Sequence, residues 1–345
     1  MKNVLKFLGI ISFIAVFAFT MTACSSGGAG GGGGGNTPNT PNTPNTPNTP
    51  NTPNTPDSST MTWNTVSDSK FVSTDIINGI AWGSNMFVAV GTNGKMAYSS
   101  DGTVWNAVSD SKFDTSTITG IAYGNSKFVA VGYSGKIAWS SDGAAWNAVS
   151  DSKFSSSYIN GIAWLNDKFF AVGSSGKIAW SSDGATWNAV SDSKFSSSYS
   201  YINGIAYGNS KFVAGGDSGK IAWSTDGATW NAVSDSKLGS SSNSIYLIAW
   251  VKNRFIACSA GKTVQSADGI TWTESEHVGV ISPKGIAFDN SKFVIVGYNQ
   301  VAYSTDGITW TSIADSPKNM NGIAWGNNKF VAVGDDGKIV WSTGK

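Results

Sequence analysis

The chain has 345 residues, with 23 basic and 22 acidic side chains, one histidine and two cysteines. That length supports a substantial core, but a near-neutral balance with no Lys/Arg cluster excludes the basic face a nucleic-acid partner requires. One histidine and no cysteine cluster exclude a zinc or transition-metal centre, and no motif calls for a cofactor.

The first residues, MKNVLKFLGIISFIAVFAFTMTAC, carry two lysines, an apolar run from Leu8 to Phe19, and small or polar residues ending at Cys24. The run is short for a membrane span and has the layout of an export signal over residues 1–23. Thr22-Ala23-Cys24, followed by Ser25-Ser26, resembles the lipobox of bacterial lipoproteins, with Met21 where Leu is usual. The resemblance implies a lipid on Cys24 that anchors the chain to the cell envelope, and Ser25 favours the outer membrane or cell surface. Cys258 is then the only other cysteine, so no internal disulfide is expected.

Residues 24–56 read as a tether: nearly all glycine from Gly27 to Gly35, then Asn-Thr-Pro seven times from Asn36 to Pro56. Neither stretch has apolar groups to offset the entropy of ordering. Proline at every third position favours an extended path, about 65 Å over the tract at polyproline rise.

Residues 57–345 are repetitive. The phrase Gly-Ile-Ala-aromatic starts at Gly79, Gly120, Gly161, Gly204, Leu247 (in the glycine place), Gly285 and Gly322. A period near 40 with no helical pattern predicts an all-β, seven-bladed β-propeller of four-stranded blades. Each unit supplies GIAW, KFVAVG, GKIAWSS and a short piece around TWNAV, separated by Gly, Asn, Ser and Asp turns. Apolar residues on both alternations, as in Phe128-Val129-Ala130-Val131, suit blades covered on both faces. The seventh unit has no fourth strand before Lys345, whereas Met61 to Phe71 copies the segment that follows each third strand. A strand at about residues 61–66 is therefore expected to complete the last blade and remove an open edge.

Between the third and fourth strands stands SxDGxTW, with Asp101, Asp142, Asp183, Asp226, Asp268 and Asp306 followed by Trp105, Trp146, Trp187, Trp230, Trp272 and Trp310. Asp-Gly suits a tight hairpin turn. The phrase resembles the Asp-box (BNR repeat) of sialidase-like propellers, one residue shorter than usual. The resemblance implies a structural role: Ser and Asp fix the turn, the aromatic packs, and ligands bind on the opposite side. All fifteen tryptophans fall in repeat register and are expected to be core.

Subtracting repeated positions leaves Tyr133, Tyr158, Tyr199, Tyr201, Tyr246 and Tyr298 as candidate ligand-binding residues. All lie at loops joining strand two to three or strand four to the next blade, which emerge on one face. With Ser, Asn and Asp beside them they have the composition of a recognition surface. Catalysis is not expected. A sialidase needs an arginine cluster, and this chain has Arg254 alone; the repeated aspartates are better explained as structure than as paired acid and base. The irregular segment with Glu274, Glu276 and His277 offers only a weak acid–base candidate. The expected function is a lipid-anchored binding module for glycan or protein ligands; a degenerate glycoside hydrolase and an envelope assembly scaffold are the alternatives.

Overall fold

The computed structural model describes residues 61–195, 200–239 and 244–344; Cys24, the tether and Tyr199 lie outside the described residues. The described chain folds into seven four-stranded antiparallel sheets arranged as a β-propeller. Blade one runs Ile77–Gly83, Met86–Gly91, Met96–Ser99 and Asn106–Ala107, hydrogen-bonded in that order. The same order recurs in each following blade, so neighbouring sequence repeats become neighbouring blades.

The double-sided apolar pattern has a direct cause. In the second strand of blade one, Phe87 and Ala89 pack toward blade seven, with Val331 and Val333. Val88 and Val90 pack toward blade two, with Ile118 and Phe128. Each residue is fully buried, so either alternation lost to a polar side chain would open a gap between blades.

The ring closes as the repeat predicts. Asn64–Thr65 pairs with Ile339–Ser342, Asn64 opposite Trp341 and Thr65 opposite Val340, while Val66 N–H donates to Ile339 O. The last sheet therefore draws its outer strand from the N-terminal side and its other three from Met320 onward.

The repeated SxDGxTW turn is a closed hydrogen-bond unit. In blade four, Asp226 Oδ1 accepts from Ser224 Oγ (2.9 Å), Ala228 N (2.8 Å) and Thr229 N (2.7 Å). The Trp230 indole donates to Gly227 O at 3.1 Å. The backbone N–H groups hold the Asp226 and Asp306 carboxyls down to about 2, the Ser hydroxyl assisting. The glycine is required twice over: Gly143 has φ +77°, and a Cβ there would come within 2.8 Å of Val88 Cγ2 in the preceding blade. Lys127 Nζ of blade two donates to Asp183 O of blade three at 2.8 Å, and Lys329 Nζ of blade seven to Asp101 O of blade one at 3.0 Å. The phrase is a joint between blades as well as a turn within one.

The tryptophans divide by position. Trp105, Trp146, Trp187, Trp230 and Trp272 are buried, but Trp63 and Trp310 are only partly covered. Those ahead of the turn serine, such as Trp139 and Trp180, are half-buried beneath Lys127 and Lys168, each Nζ 4.4 Å from the ring centroid. Those after Ile-Ala, such as Trp164, lie over a neighbouring glycine: a Cβ on Gly124 would come within 2.0 Å of Trp164 Cδ2. Register identifies repeated positions, but burial depends on whether the residue lies between two sheets or at a blade's rim.

Candidate recognition face

Two loop classes are tied together on one face. The SDSK turn after the fourth strand sends Ser111 Oγ to Gly94 O (2.6 Å), in the loop between strands two and three of the blade before it; Ser69 Oγ does the same to Gly337 O at 2.6 Å. The turn aspartates Asp68, Asp110, Asp151, Asp192 and Asp235 each pair with the lysine two residues on. That hydrogen bond from lysine holds their carboxyls below the usual range. The repeated aspartates outside the SxDGxTW turns are thus spent on loop geometry.

On this scaffold, Tyr133 opens the loop Tyr133–Gly135 of blade two, and Tyr158 immediately precedes the first strand of blade three. Their rings stack, with centroids 4.4 Å apart and planes 25° from parallel. Tyr158 keeps 44% of its surface exposed, while Tyr133 is half-buried beneath it. Burial pushes the Tyr133 phenol up, and the neighbouring Tyr158 and Tyr201 phenols push the same way. Tyr201 holds in blade four the place Tyr158 holds in blade three. Its backbone is fixed by Asp217, which accepts Tyr201 N at 3.3 Å and Ser244 Oγ at 3.0 Å. Blades two to four therefore present a short aromatic arc.

The other tyrosines stand apart. Tyr298, 60% exposed, lies in blade six next to Ile281, whose carbonyl accepts its N–H at 3.1 Å. Tyr246 is half-buried and packs on the core shared by blades four and five.

Inside the arc runs a belt that sequence reading passed over. A β-bulge in the first strands of blades one to four and seven isolates the residue before the glycine: Asn78, Thr119, Asn160, Asn203 and Asn321. Each donates to a backbone carbonyl of the next blade: Asn78 to Ile118 O (2.7 Å), Thr119 to Ile159 O (2.6 Å), Asn160 to Ile202 O (3.2 Å), Asn203 to Ile245 O (3.1 Å) and Asn321 to Ile77 O (3.1 Å). Tyr246 and Lys284 take this place in blades five and six. The available signal was Asn-Gly recurring before Ile-Ala, which reads as turn chemistry rather than as an inter-blade bond.

Glu274, Glu276 and His277 lie on or just beyond the outermost strand of blade five, Thr273–Ser275, and all are exposed. Glu274 Oε1 accepts from Lys262 Nζ at 2.8 Å, which lowers its carboxyl, and His277 Nδ1 accepts from Gly279 N at 3.1 Å. Arg254 opens the second strand of blade five, at the opposite end of the sheet, and donates to Gln265 Oε1 at 3.0 Å. Among the described residues no hydrogen bond or ring contact joins these residues to the tyrosines. Among the described residues no group of three His, Cys, Asp or Glu side chains is placed to hold a metal.

Fold and face define a seven-bladed β-propeller. No family profile matches the chain, and no curated protein matches it. Solved structures do. YCF48 from Cyanidioschyzon merolae is 17% identical with a TM-score of 0.60, covering 81% of this chain and 98% of that one; a YCF48 structure bound to D1 peptide gives 16% and 0.60. Virginiamycin B lyase from Staphylococcus aureus is 11% identical with a TM-score of 0.63, over 81% of this chain and 98% of its own. PorZ, a surface component of the type-IX secretion system of Porphyromonas gingivalis, is 15% identical with a TM-score of 0.57, over 80% of this chain and 37% of its own. At such identities the likeness establishes the fold alone.

Proposed function

We propose that the protein is exported, held at the bacterial cell envelope or surface by a lipid on Cys24 and its tether, and acts as a non-catalytic binding module for protein or glycan ligands. The observation that carries the reading is the Tyr133–Tyr158 stack, with Tyr201 beside it, on a face whose loops are fixed by hydrogen bonds. A pre-ordered pair of rings offers apolar area with a hydroxyl rim at little entropic cost, suited to a sugar ring or an apolar peptide side chain. A propeller of this fold holds a peptide in YCF48, and another is a bacterial surface component in PorZ. Because virginiamycin B lyase is an enzyme on the same fold, the reading rests on the face and not on the architecture. The exposed placement of Glu274, Glu276 and His277 supports binding over acid–base chemistry.

The test is a soluble fragment of residues 57–345 on glycan and matrix-protein arrays, beside a Tyr133→Ala/Tyr158→Ala/Tyr201→Ala variant. Binding lost in the variant at an unchanged melting temperature supports the reading. A folded fragment that binds nothing on either array removes the ligand classes named here.

A further inference from the structure

Lys284 is the only lysine in the belt position that carries Asn, Thr or Tyr in the other blades. Its Nζ lies 2.6 Å from Asn321 Oδ1 in blade seven, and Asn321 Nδ2 donates to Asp335 Oδ1 at 2.9 Å. We propose that Lys284 and Asn321 are joined by a self-formed isopeptide bond that staples blade six to blade seven, with Asp335 relaying the proton.

Three observations carry this. First, the two strands run close together: a Cβ on Gly285 would lie 3.1 Å from Gly322 Cα, so the preceding residues, Lys284 and Asn321, are held side by side. Second, the electrophile is fixed. Asn321 is 1% exposed, and its amide nitrogen is also anchored to Ile77 O at 3.1 Å. Third, the amine is prepared. Burial lowers the Lys284 ammonium, which the Asp335 charge only partly opposes, and this raises the share of neutral, nucleophilic amine. A plain inter-blade bond needs no lysine, since asparagine supplies it in four other blades. The nearby Lys95 differs in kind, because its Nζ meets the carboxylate of Asp75 (2.6 Å) and no amide.

The step is redox-neutral. The neutral Nζ moves from Oδ1 to the adjacent Cγ and attacks it, forming the Nζ–Cγ bond. Asp335 takes a proton from Nζ and delivers it to Nδ2; the Cγ–Nδ2 bond then breaks and ammonia leaves. Fixed proximity of reactants at this range supplies much of such a barrier.

The test is mass spectrometry of the full chain and of its tryptic digest. The bond lowers the intact mass by one ammonia and joins residues 263–292, uncut at Lys284, to residues 319–329. Asp335→Asn, checked for folding by circular dichroism, is expected to lose the joined species, as is Lys284→Met. Complete recovery of separate peptides 263–284 and 319–329 from the native chain overturns the proposal. Ammonia loss with the peptides still separate, the mark of a succinimide at Asn321-Gly322, overturns it equally. A joined species that survives in Asp335→Asn overturns the role given to Asp335.

Discussion

Replacing Trp230 with alanine separates a structural joint from a binding platform. Trp230 is 1% exposed, lies in the core that blades three and four share with Phe170 and Phe212, and donates its indole N–H to Gly227 O. A buried tryptophan covers roughly 150–250 Å², worth about 4–6 kcal/mol at 25 cal/mol per Å², and aromatic-to-alanine changes in cores cost about 3–5 kcal/mol. The lost indole bond adds about 1 kcal/mol. The expected destabilisation is therefore about 4–6 kcal/mol for Trp230→Ala. It should be nearer 2 kcal/mol for Trp310→Ala, whose side chain is only partly covered. Urea unfolding followed by far-UV circular dichroism reads both. Equal midpoints for wild type and Trp230→Ala would refute the reasoning, and loss of ligand binding without loss of stability would make the turn a ligand site.

Three further outcomes follow from the same structure. Asp226 and Asp306 have folded values near 2 against an ordinary 3.8, so their contribution to stability is complete above about pH 4 and is lost as pH falls toward 2; Asp226→Asn/Asp306→Asn should flatten the acid limb of a stability–pH curve. Gly143→Ala, at φ +77° and against Val88, should lower the unfolding free energy clearly in a urea titration, whereas Gly261→Ala, with nothing within 4 Å of the added carbon, should leave it within about 0.5 kcal/mol of wild type. Cys258 is buried with its thiol pushed up to about 12, so its alkylation at neutral pH in the 57–345 fragment should proceed only after unfolding; rapid labelling of Cys258 in the folded fragment would contradict its placement.

The propeller was legible because the repeat encodes it at several levels at once: period, double-sided apolar strands, and a fourth-strand segment displaced to the N-terminal side, where Asn64–Thr65 pairs with the last strand. What the repeat could not convey is the set of contacts between one blade and the next. Asn78 and its counterparts sit beside a glycine and read as turn residues; only the bulge turns their side chains toward the neighbouring carbonyl. Loop class was the only signal the sequence offered for the tyrosines. Their grouping was not legible, because Tyr133 meets Tyr158 across a blade boundary, while Tyr246 occupies a belt position and packs inward. Trp139 and Trp180 recur as regularly as the buried turn tryptophans, yet lie half-buried at blade surfaces beneath lysines.

The most direct test of the functional account compares Tyr158→Ala with Tyr298→Ala against whichever ligand the wild-type fragment binds. Both residues are exposed, so neither change should unsettle the fold, but only Tyr158 belongs to the aromatic arc. The account predicts roughly tenfold or greater loss of affinity for Tyr158→Ala, as for a central aromatic contact, and little change for Tyr298→Ala. Equal affinity for wild type and Tyr158→Ala, or a loss confined to Tyr298→Ala, would contradict it.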